Sequence, residues 1–216
     1  MNPPNAVIAI DGTSASGKSS TARAVAKALG YIYVDTGAMY RTLAWHCLQK
    51  QVDIHDPAAV AKLCRDWNAS LSRAGNEVRL LVDGYFPEQE IRTKQVTEAT
   101  PVAASVPEVR EWMMQKQREC AQFGNLVMEG RDIGTHIFPA TPHKFFLDAC
   151  ANERARRRAA QGVAENVAAR DLRDTRRAVA PLAAAPDAVV INNSGMTVEH
   201  NAALILEKIK SKESGA

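Results

Sequence analysis

The residues with the most evident chemistry lie near the N-terminus, where positions 12–19 read GTSASGKS. They fit the pattern G-x-x-x-x-G-K-[ST], which binds nucleotide phosphates. Glycine at both ends lets the backbone wrap tightly, so that successive N–H groups point at phosphate oxygens. In this pattern Lys18 reaches the β- and γ-phosphates, and the hydroxyl of Ser19 ligates Mg²⁺. We therefore expect Lys18 to be an exposed phosphate ligand rather than a core residue.

The elements that must position this loop are visible on both sides of it. An apolar run of strand length, 6–10, precedes the loop, and Ala22, Val25, Ala26 and Leu29 recur after it at helical spacing. This order places a helix N-terminus beneath the phosphates, where its dipole favours negative charge. The context favours phosphate binding over an inconsequential Gly/Ser-rich turn. The residues expected to contact ATP are Gly12, Thr13, Ser14, Ala15, Ser16, Gly17, Lys18, Ser19 and Ser20.

Two further polar stretches follow predicted strands, at the sheet edge where open parallel sheets bind ligands. Positions 35–41 read DTGAMYR, and Arg41 is expected to bind a second phosphate group unless it is an ordinary solvated arginine. Positions 129–132 read EGRD. A carboxylate at this place, Glu129, is a partner for Mg²⁺, and the guanidinium of Arg131 suits bidentate capture of phosphate. The alternative for the second stretch is a purely structural Arg–Asp pair.

Two arginine-rich runs, 154–158 and 170–177, occur later in the chain. Residues three and four apart share a helix face, so Arg170, Asp174 and Arg177 are expected to align. Two cationic helices joined by a turn containing Gly162 favour a lid over a polyphosphate. A nucleic-acid surface is less favoured, because acidic residues alternate with the basic ones and no aromatic residues are interleaved.

Composition sets the outer limits on the class of protein. The 216 residues carry a formal net charge of only +3, and a hydrophobic share of 46% is ample for a buried core. The four cysteines are widely spaced without a C-x-x-C pair, which favours buried thiols over disulfides or a zinc site. The sequence has no signal-peptide pattern and no apolar run of membrane-spanning length. We therefore expect a soluble cytoplasmic protein.

Apolar strands alternate with helices along most of the chain, which indicates a parallel sheet covered on both faces. This alternation is interrupted between 53 and 96, where turn signals at 75–76 and 83–84 bracket a predicted strand, 77–82. We expect a small antiparallel patch there, inserted as a lobe of its own. Further strands are predicted at 31–34, 126–129, 144–147 and 188–191, and helices at 91–104, 107–122 and 167–177.

Taken together, these motifs resemble the bacterial cytidylate kinases of the nucleoside-monophosphate (NMP) kinase group. The resemblance runs almost end to end and includes EIRT at 90–93, PEVR at 107–110, EGRDIGT at 129–135 and RAVAPL at 177–182. It implies an α/β fold: a P-loop kinase core with a parallel β-sheet flanked by helices, a small inserted NMP-binding lobe and a helical lid. The implied single domain has its core at about 1–50, 105–150 and 178–216, the insertion at 51–104 and the lid at 151–177.

The resemblance also implies an activity, the transfer of a phosphoryl group from ATP to CMP or dCMP with Mg²⁺. Lys18, Arg131, Arg157 and Arg158 are then the catalytic candidates, and Ser19 is the metal ligand, with indirect help from Glu129. Cytosine would face Arg110 and Asp132, and the sugar would face Arg170 and Asp174. The full set of implied acceptor contacts is Thr36, Arg41, Thr100, Arg110, Arg131, Asp132, Arg170, Asp174 and Arg177.

Two departures from the family pattern affect this site. Pro101 stands where the family has a serine that contacts the base, and the neighbouring Thr100 is the only substitute at hand. The lid segment 161–168 is also short. Another small-molecule kinase with a shikimate- or UMP-type acceptor remains open. A GTP-dependent switch is disfavoured, because neither N/T-K-x-D nor D-x-x-G is present. We expect a monomer that binds neither nucleic acid nor membrane.

Overall fold

The computed structural model describes residues 5–160 and 167–214. The predicted turn around Gly162 and most of the segment 161–168 lie outside these residues. The described elements, in chain order, are β1 Val7–Gly12, α1 Lys18–Leu29, β2 Ile32–Asp35, α2 Thr36–Gln49, α3 Pro57–Asp66, β3 Ala69–Ala74, β4 Glu77–Val82, α4 Lys94–Ala103, α5 Pro107–Glu119, β5 Leu126–Gly130, β6 His143–Asp148, α6 Ala151–Ala160, α7 Val167–Thr175, β7 Val189–Asn192 and α8 Val198–Ser214.

One sheet of seven strands organises the molecule, in the order β3-β4-β2-β5-β1-β6-β7. Every neighbouring pair is parallel except β3 with β4, so the predicted parallel sheet is confirmed. The register aligns the carboxyl ends of the central strands: Asp35 pairs with Glu129, and Asp11 pairs with Gly130. The polar residues that the sequence places after separate strands therefore meet at one edge of the sheet.

The β3–β4 hairpin is antiparallel, as predicted, but it does not form a separate patch. Strand β4 pairs in parallel with β2, so the hairpin extends the central sheet. The antiparallel strands therefore belong to the central sheet, and the bounds of the inserted lobe, 51–104, stay a prediction. A strand edge presents unpaired backbone groups, and pairing with β2 satisfies those of β4.

Each face of the sheet has its own hydrophobic core, because alternate residues of the buried strands point to opposite sides. Val34, Leu43 and Met113 belong to the core beneath α2–α5. Phe145 and Ile205 belong to the core beneath α1 and α8. No helix among residues 5–160 and 167–214 is long and apolar enough to cross a membrane.

The cysteines correct one further expectation. Cys47, Cys64 and Cys120 are buried, and all four thiols are free, but Cys150 is exposed at the start of α6. Burial raises the pKa of Cys120 to about 12. The three buried thiols therefore pack as small apolar side chains, whereas the prediction of a buried thiol is wrong for Cys150.

Candidate active site

The loop 12–17 leaves the end of β1 and enters α1 in the conformation that its glycines permit. A side chain at Gly12 would lie 2.0 Å from the carbonyl oxygen of Leu147, so only glycine allows β1 and β6 to approach this closely. Gly17 is the N-cap of α1, with a left-handed φ of 86° that is strained for other residues. The first backbone N–H groups of α1 have no intrahelical acceptor, and the loop folds over them as an anion-binding cradle.

Lys18 differs from its sequence prediction in one respect. It is only 5% exposed, so the expectation of an exposed ligand is wrong, although the residue does line the cleft. Its Nζ donates to the carbonyl of Thr13 over 2.7 Å. Burial, together with the cationic groups of Arg131 and Arg170, lowers the pKa of Lys18 to about 7. An anion placed at Nζ would reverse this shift.

Asp11, which was not predicted as a site residue, is buried directly before the phosphate loop. Its two carboxylate oxygens accept hydrogen bonds from the backbone N–H groups of Ile133 and Gly134, both over 2.8 Å. Burial raises its pKa to about 7, although the hydrogen bonds from the two backbone N–H groups act to lower it. One carboxylate thus ties the start of the phosphate loop to the backbone directly after Asp132. The available signal in the sequence was its place between the apolar run 6–10 and the loop glycine Gly12.

Thr36 begins α2 and lies against β5. Its hydroxyl donates to the carbonyl of Glu129 over 2.7 Å, and a side chain at Gly130 would lie 2.7 Å from that same hydroxyl oxygen. The carboxylate of Glu129 is buried and accepts from the phenol of Tyr33 over 3.1 Å. Burial next to this carboxylate raises the pKa of Tyr33. Glycine at 130 is what allows the α2 N-terminus to approach the strand end.

Arg41, one turn further along α2, binds Asp35 over 2.9 Å. Burial acts to raise the pKa of Asp35, but Arg41 and the backbone N–H of Ala38 outweigh it and hold the pKa below its usual range. The carboxylate of Asp35 therefore stays charged, caps α2 and holds the guanidinium at the cleft. The Nε of Arg41 is buried without a hydrogen-bond partner among the described residues.

Arg110 and Asp132 form a buried pair across the cleft, with 2.6 Å between Nη2 and Oδ2. The helix that begins at Pro107 therefore faces the end of β5, as the sequence resemblance implied. Burial raises the pKa of Asp132, while Arg110 opposes that change. The Nε of Arg110 is buried without a hydrogen-bond partner in the described part of the chain. Such an orphaned donor beside a carboxylate fits a ligand that presents both acceptors and donors.

Asp174 binds two of the predicted arginines. It accepts from Nε of Arg131 over 2.9 Å and from Arg177, and it is almost wholly buried. Burial acts to raise the pKa of Asp174, but Arg131, Arg177 and Arg170 together hold it below its usual range. Helix α7 ends at Thr175, so Arg177 lies past the predicted helical alignment yet still reaches Asp174.

The arginines of α6 contact the phosphate loop itself. Nη1 of Arg157 donates to the carbonyl of Ser16 over 3.2 Å, and the same residue binds Asn193 and Glu153. Arg154 donates to the carbonyl of Ser14 over 3.1 Å. These two arginines lie about one helical turn apart and donate to the carbonyls of two loop residues, Ser14 and Ser16. The catalytic role given to Arg157 stays a prediction, as does that of Arg158, which lines the cleft.

A single cleft of about 800 Å³ joins these parts. Every predicted site residue lines it except Gly12, Thr13 and Ser16, which shape the loop behind the lining surface. Arg92 and Met196 also line the cleft and were not predicted as site residues. Arg92 lies in the EIRT motif at 90–93, which was the available signal, whereas Met196 lies in none of the motifs. The cleft is lined both by the phosphate loop and by the Arg110–Asp132 pair, and its volume is large enough for ligands of nucleotide size.

Thr100 and Pro101 both line this cleft. The hydroxyl of Thr100 donates to the carbonyl of Val96 over 2.6 Å, so it is left to a ligand only as an acceptor. Pro101 lies inside α4 and has no N–H to offer. In place of the family serine, Thr100 can therefore offer a ligand a hydrogen-bond acceptor but no donor.

A parallel sheet with a phosphate loop after its central strand, and with arginines converging on one cleft, defines a P-loop phosphotransferase. The family model for cytidylate kinase matches residues 8–211. The cytidylate kinases of Geobacillus kaustophilus and Enterococcus faecalis are 42% and 39% identical, and each alignment covers 95% of this chain and 96% of the relative. A solved structure from Chloroflexus aurantiacus, 15% identical, has a TM-score of 0.51 over the whole of both chains and shares the fold. The chain belongs to the cytidylate kinase family.

Proposed function

We propose that this protein transfers the γ-phosphoryl group of ATP to CMP and dCMP, giving ADP and the nucleoside diphosphate. An oxygen of the acceptor's phosphate attacks the γ-phosphorus, and the bond from that phosphorus to the β–γ bridging oxygen breaks. Such transfer needs no side-chain nucleophile, since the protein positions the two nucleotides and neutralises charge. The observation that carries the acceptor assignment is the buried Arg110–Asp132 pair, together with the Nε of Arg110, which has no hydrogen-bond partner among residues 5–160 and 167–214.

The donor side of the cleft fits the triphosphate of ATP. Ser16 Oγ is buried in the loop without a hydrogen-bond partner among the described residues, and Lys18 lies where the loop meets α1. Mg²⁺, when bound, would neutralise part of the charge on the phosphates. No group of three or more His, Cys, Asp or Glu side chains in 5–160 and 167–214 is arranged to hold a metal by itself. That fits an ion held by phosphates and the exposed Ser19, with Glu129 acting indirectly.

The acceptor side fits cytosine better than uracil. Cytosine presents an amino donor beside N3 and O2 acceptors, so Asp132 would accept from the amino group and Arg110 would donate to the acceptors. Uracil replaces the amino group by a carbonyl, which would face a carboxylate without a proton between them. A mismatch in a buried polar site costs roughly 2–4 kcal/mol, or about thirtyfold and upward in kcat/KM.

The remaining arginines surround the place where the acceptor phosphate would lie. Arg41, Arg131 and Arg177 are each held by a carboxylate, which leaves further guanidinium N–H groups for phosphate oxygens. Arg170 and Asp174 would contact the sugar, as the family pattern implies. Arg157 and Arg158 of α6 would add positive charge above the transferred group and exclude water from it.

The direct test is a coupled assay that presents Mg²⁺-ATP with CMP, dCMP, UMP, AMP and GMP in turn. We expect CMP and dCMP to be used at least about thirtyfold more efficiently than UMP, and the purine nucleotides to be rejected on size. Equal use of UMP and CMP would contradict this account of base selection. Because Pro101 removes one hydroxyl contact, the preference is expected to be weaker than where a serine is present. A monomeric state and a cytoplasmic location remain predictions.

A further inference from the structure

The tip of the phosphate loop is held in a ring of three contacts with the lid helices. The backbone N–H of Ser14 donates to Oδ1 of Asp171 over 2.8 Å. The other carboxylate oxygen of Asp171 accepts from Arg154, and Nη1 of Arg154 also donates to the carbonyl of Ser14 over 3.1 Å. Both backbone polar groups of one loop residue are therefore bonded to one Arg–Asp pair.

This ring is shielded from water. Ser14 is buried, and the side chains of Arg154 and Asp171 are only 11% and 14% exposed. Nε of Arg154 is fixed in addition by the carbonyl of Ala149 over 3.0 Å. Charge-assisted hydrogen bonds in such surroundings are strong and reinforce one another. A displacement of the loop tip is therefore transmitted to Asp171 rather than absorbed by solvent.

Helix α7 carries Asp171 and, three residues later, Asp174, so the two carboxylates share one helix face. The first is bonded to the donor loop, and the second holds Arg131 and Arg177 on the acceptor side. We propose that Asp171 is a positioning residue that couples the two nucleotide sites through α7. The proposal rests on the function proposed above, because it concerns the same two ligands.

The expected sign of the coupling follows from this geometry. A triphosphate that fixes the loop also fixes Ser14, and thereby sets α7 in the position from which Asp174 presents its arginines. Donor binding should therefore tighten acceptor binding, and linkage requires the converse by the same factor. We expect CMP to bind about fivefold or more tightly with the donor site filled, which is within the usual range for coupled sites.

The test is isothermal titration of CMP into the full-length protein, with and without Mg²⁺ and the non-hydrolysable donor AMP-PNP. In the Asp171→Ala variant the tightening should fall below about twofold, and Arg154→Ala should behave alike. The double variant should lose no more than either single one, because the ring acts as a unit. The matched control is Asp66→Ala, which removes the carboxylate of an exposed Lys62–Asp66 pair outside the cleft and should keep the full tightening.

The outcomes separate this inference from the proposed function. If the wild-type protein binds neither CMP nor AMP-PNP, the proposed function fails and the inference fails with it. If the wild-type protein binds both ligands, two results would overturn the inference alone. One is that the wild type shows no tightening of CMP binding, and the other is that Asp171→Ala keeps the wild-type tightening. Asp171→Asn keeps the side-chain size and an acceptor for Ser14 but loses the charge that holds Arg154. It gives the same test if the alanine variant does not fold.

Discussion

Binding of ATP at pH 8 is expected to be accompanied by the uptake of about one proton on Lys18. In the free protein, burial and the cations of Arg131 and Arg170 lower the pKa of Lys18 to about 7, despite the opposing effects of Glu129 and Asp11. At pH 8 roughly nine-tenths of the free molecules would then carry a neutral Lys18. The role proposed for Lys18 in phosphoryl transfer requires its charged form.

The size of the effect follows from the charge that the ligand brings. A phosphate oxygen about 3 Å from Nζ contributes about 5 kcal/mol at an effective dielectric constant of 20. That corresponds to about four pKa units, enough to return the pKa of Lys18 to above 10. The uptake is therefore about 0.9 proton at pH 8 and about 0.1 at pH 6. Because the complex holds more protons than the free protein, ATP affinity should fall as the pH rises above 7.

Titration calorimetry with Mg²⁺-ATP in Tris and in HEPES measures this uptake, since the observed enthalpy changes with the ionisation enthalpy of the buffer. Lys18→Arg is the control, because a guanidinium stays charged throughout and keeps the cation without taking up a proton. Asp11, whose pKa burial raises to about 7, is intact in that variant, so any contribution it makes remains visible. Equal enthalpies in the two buffers at pH 8 would refute the reasoning.

Three further outcomes are expected. Lys18→Ala should lower kcat by about a hundredfold or more while leaving the fold intact, and near-normal turnover by folded protein would contradict this. Asp132→Asn should reduce the CMP-to-UMP ratio of kcat/KM by presenting an amide donor to the carbonyl of uracil, and an unchanged ratio would reject that role. Amide hydrogen exchange over 151–177, followed by mass spectrometry, should slow when both nucleotides are bound; unchanged exchange would argue against a lid.

Local pattern was sufficient to predict most of the fold. The apolar run before the loop and the helical spacing through Leu29 match β1 and α1. The start of α5 at Pro107 was likewise readable, because proline is favoured in the first turn. These signals lie within a few residues of the elements they define. Patterns of that length need no knowledge of the rest of the chain.

The features that the sequence did not reveal depend on partners far along the chain. The cations near Lys18 belong to residues more than a hundred positions away, so its burial and lowered pKa have no local signal. The pairing of β4 with β2 is a long-range contact of the same kind. The engagement of Arg157 with the loop carbonyl of Ser16 is another, because an arginine run indicates charge without indicating which acceptor it meets.

Asp174 and Asp132 both pair with arginine, but the balance between burial and the arginines differs for the two carboxylates. Asp174 has two guanidinium partners, Arg131 and Arg177, and despite its burial they hold its pKa below the usual range. It therefore remains an anion that keeps two like charges close together. Asp132 binds Arg110 directly, and for it burial prevails, so its pKa is raised. Asp132 is thus the less strongly stabilised anion of the two. In the proposed complex, the amino group of cytosine would donate to Asp132 and offset part of the desolvation that Arg110 leaves uncompensated. In the proposed function, Arg131 and Arg177 would thus stay fixed on Asp174, while the Arg110–Asp132 pair would respond to the base.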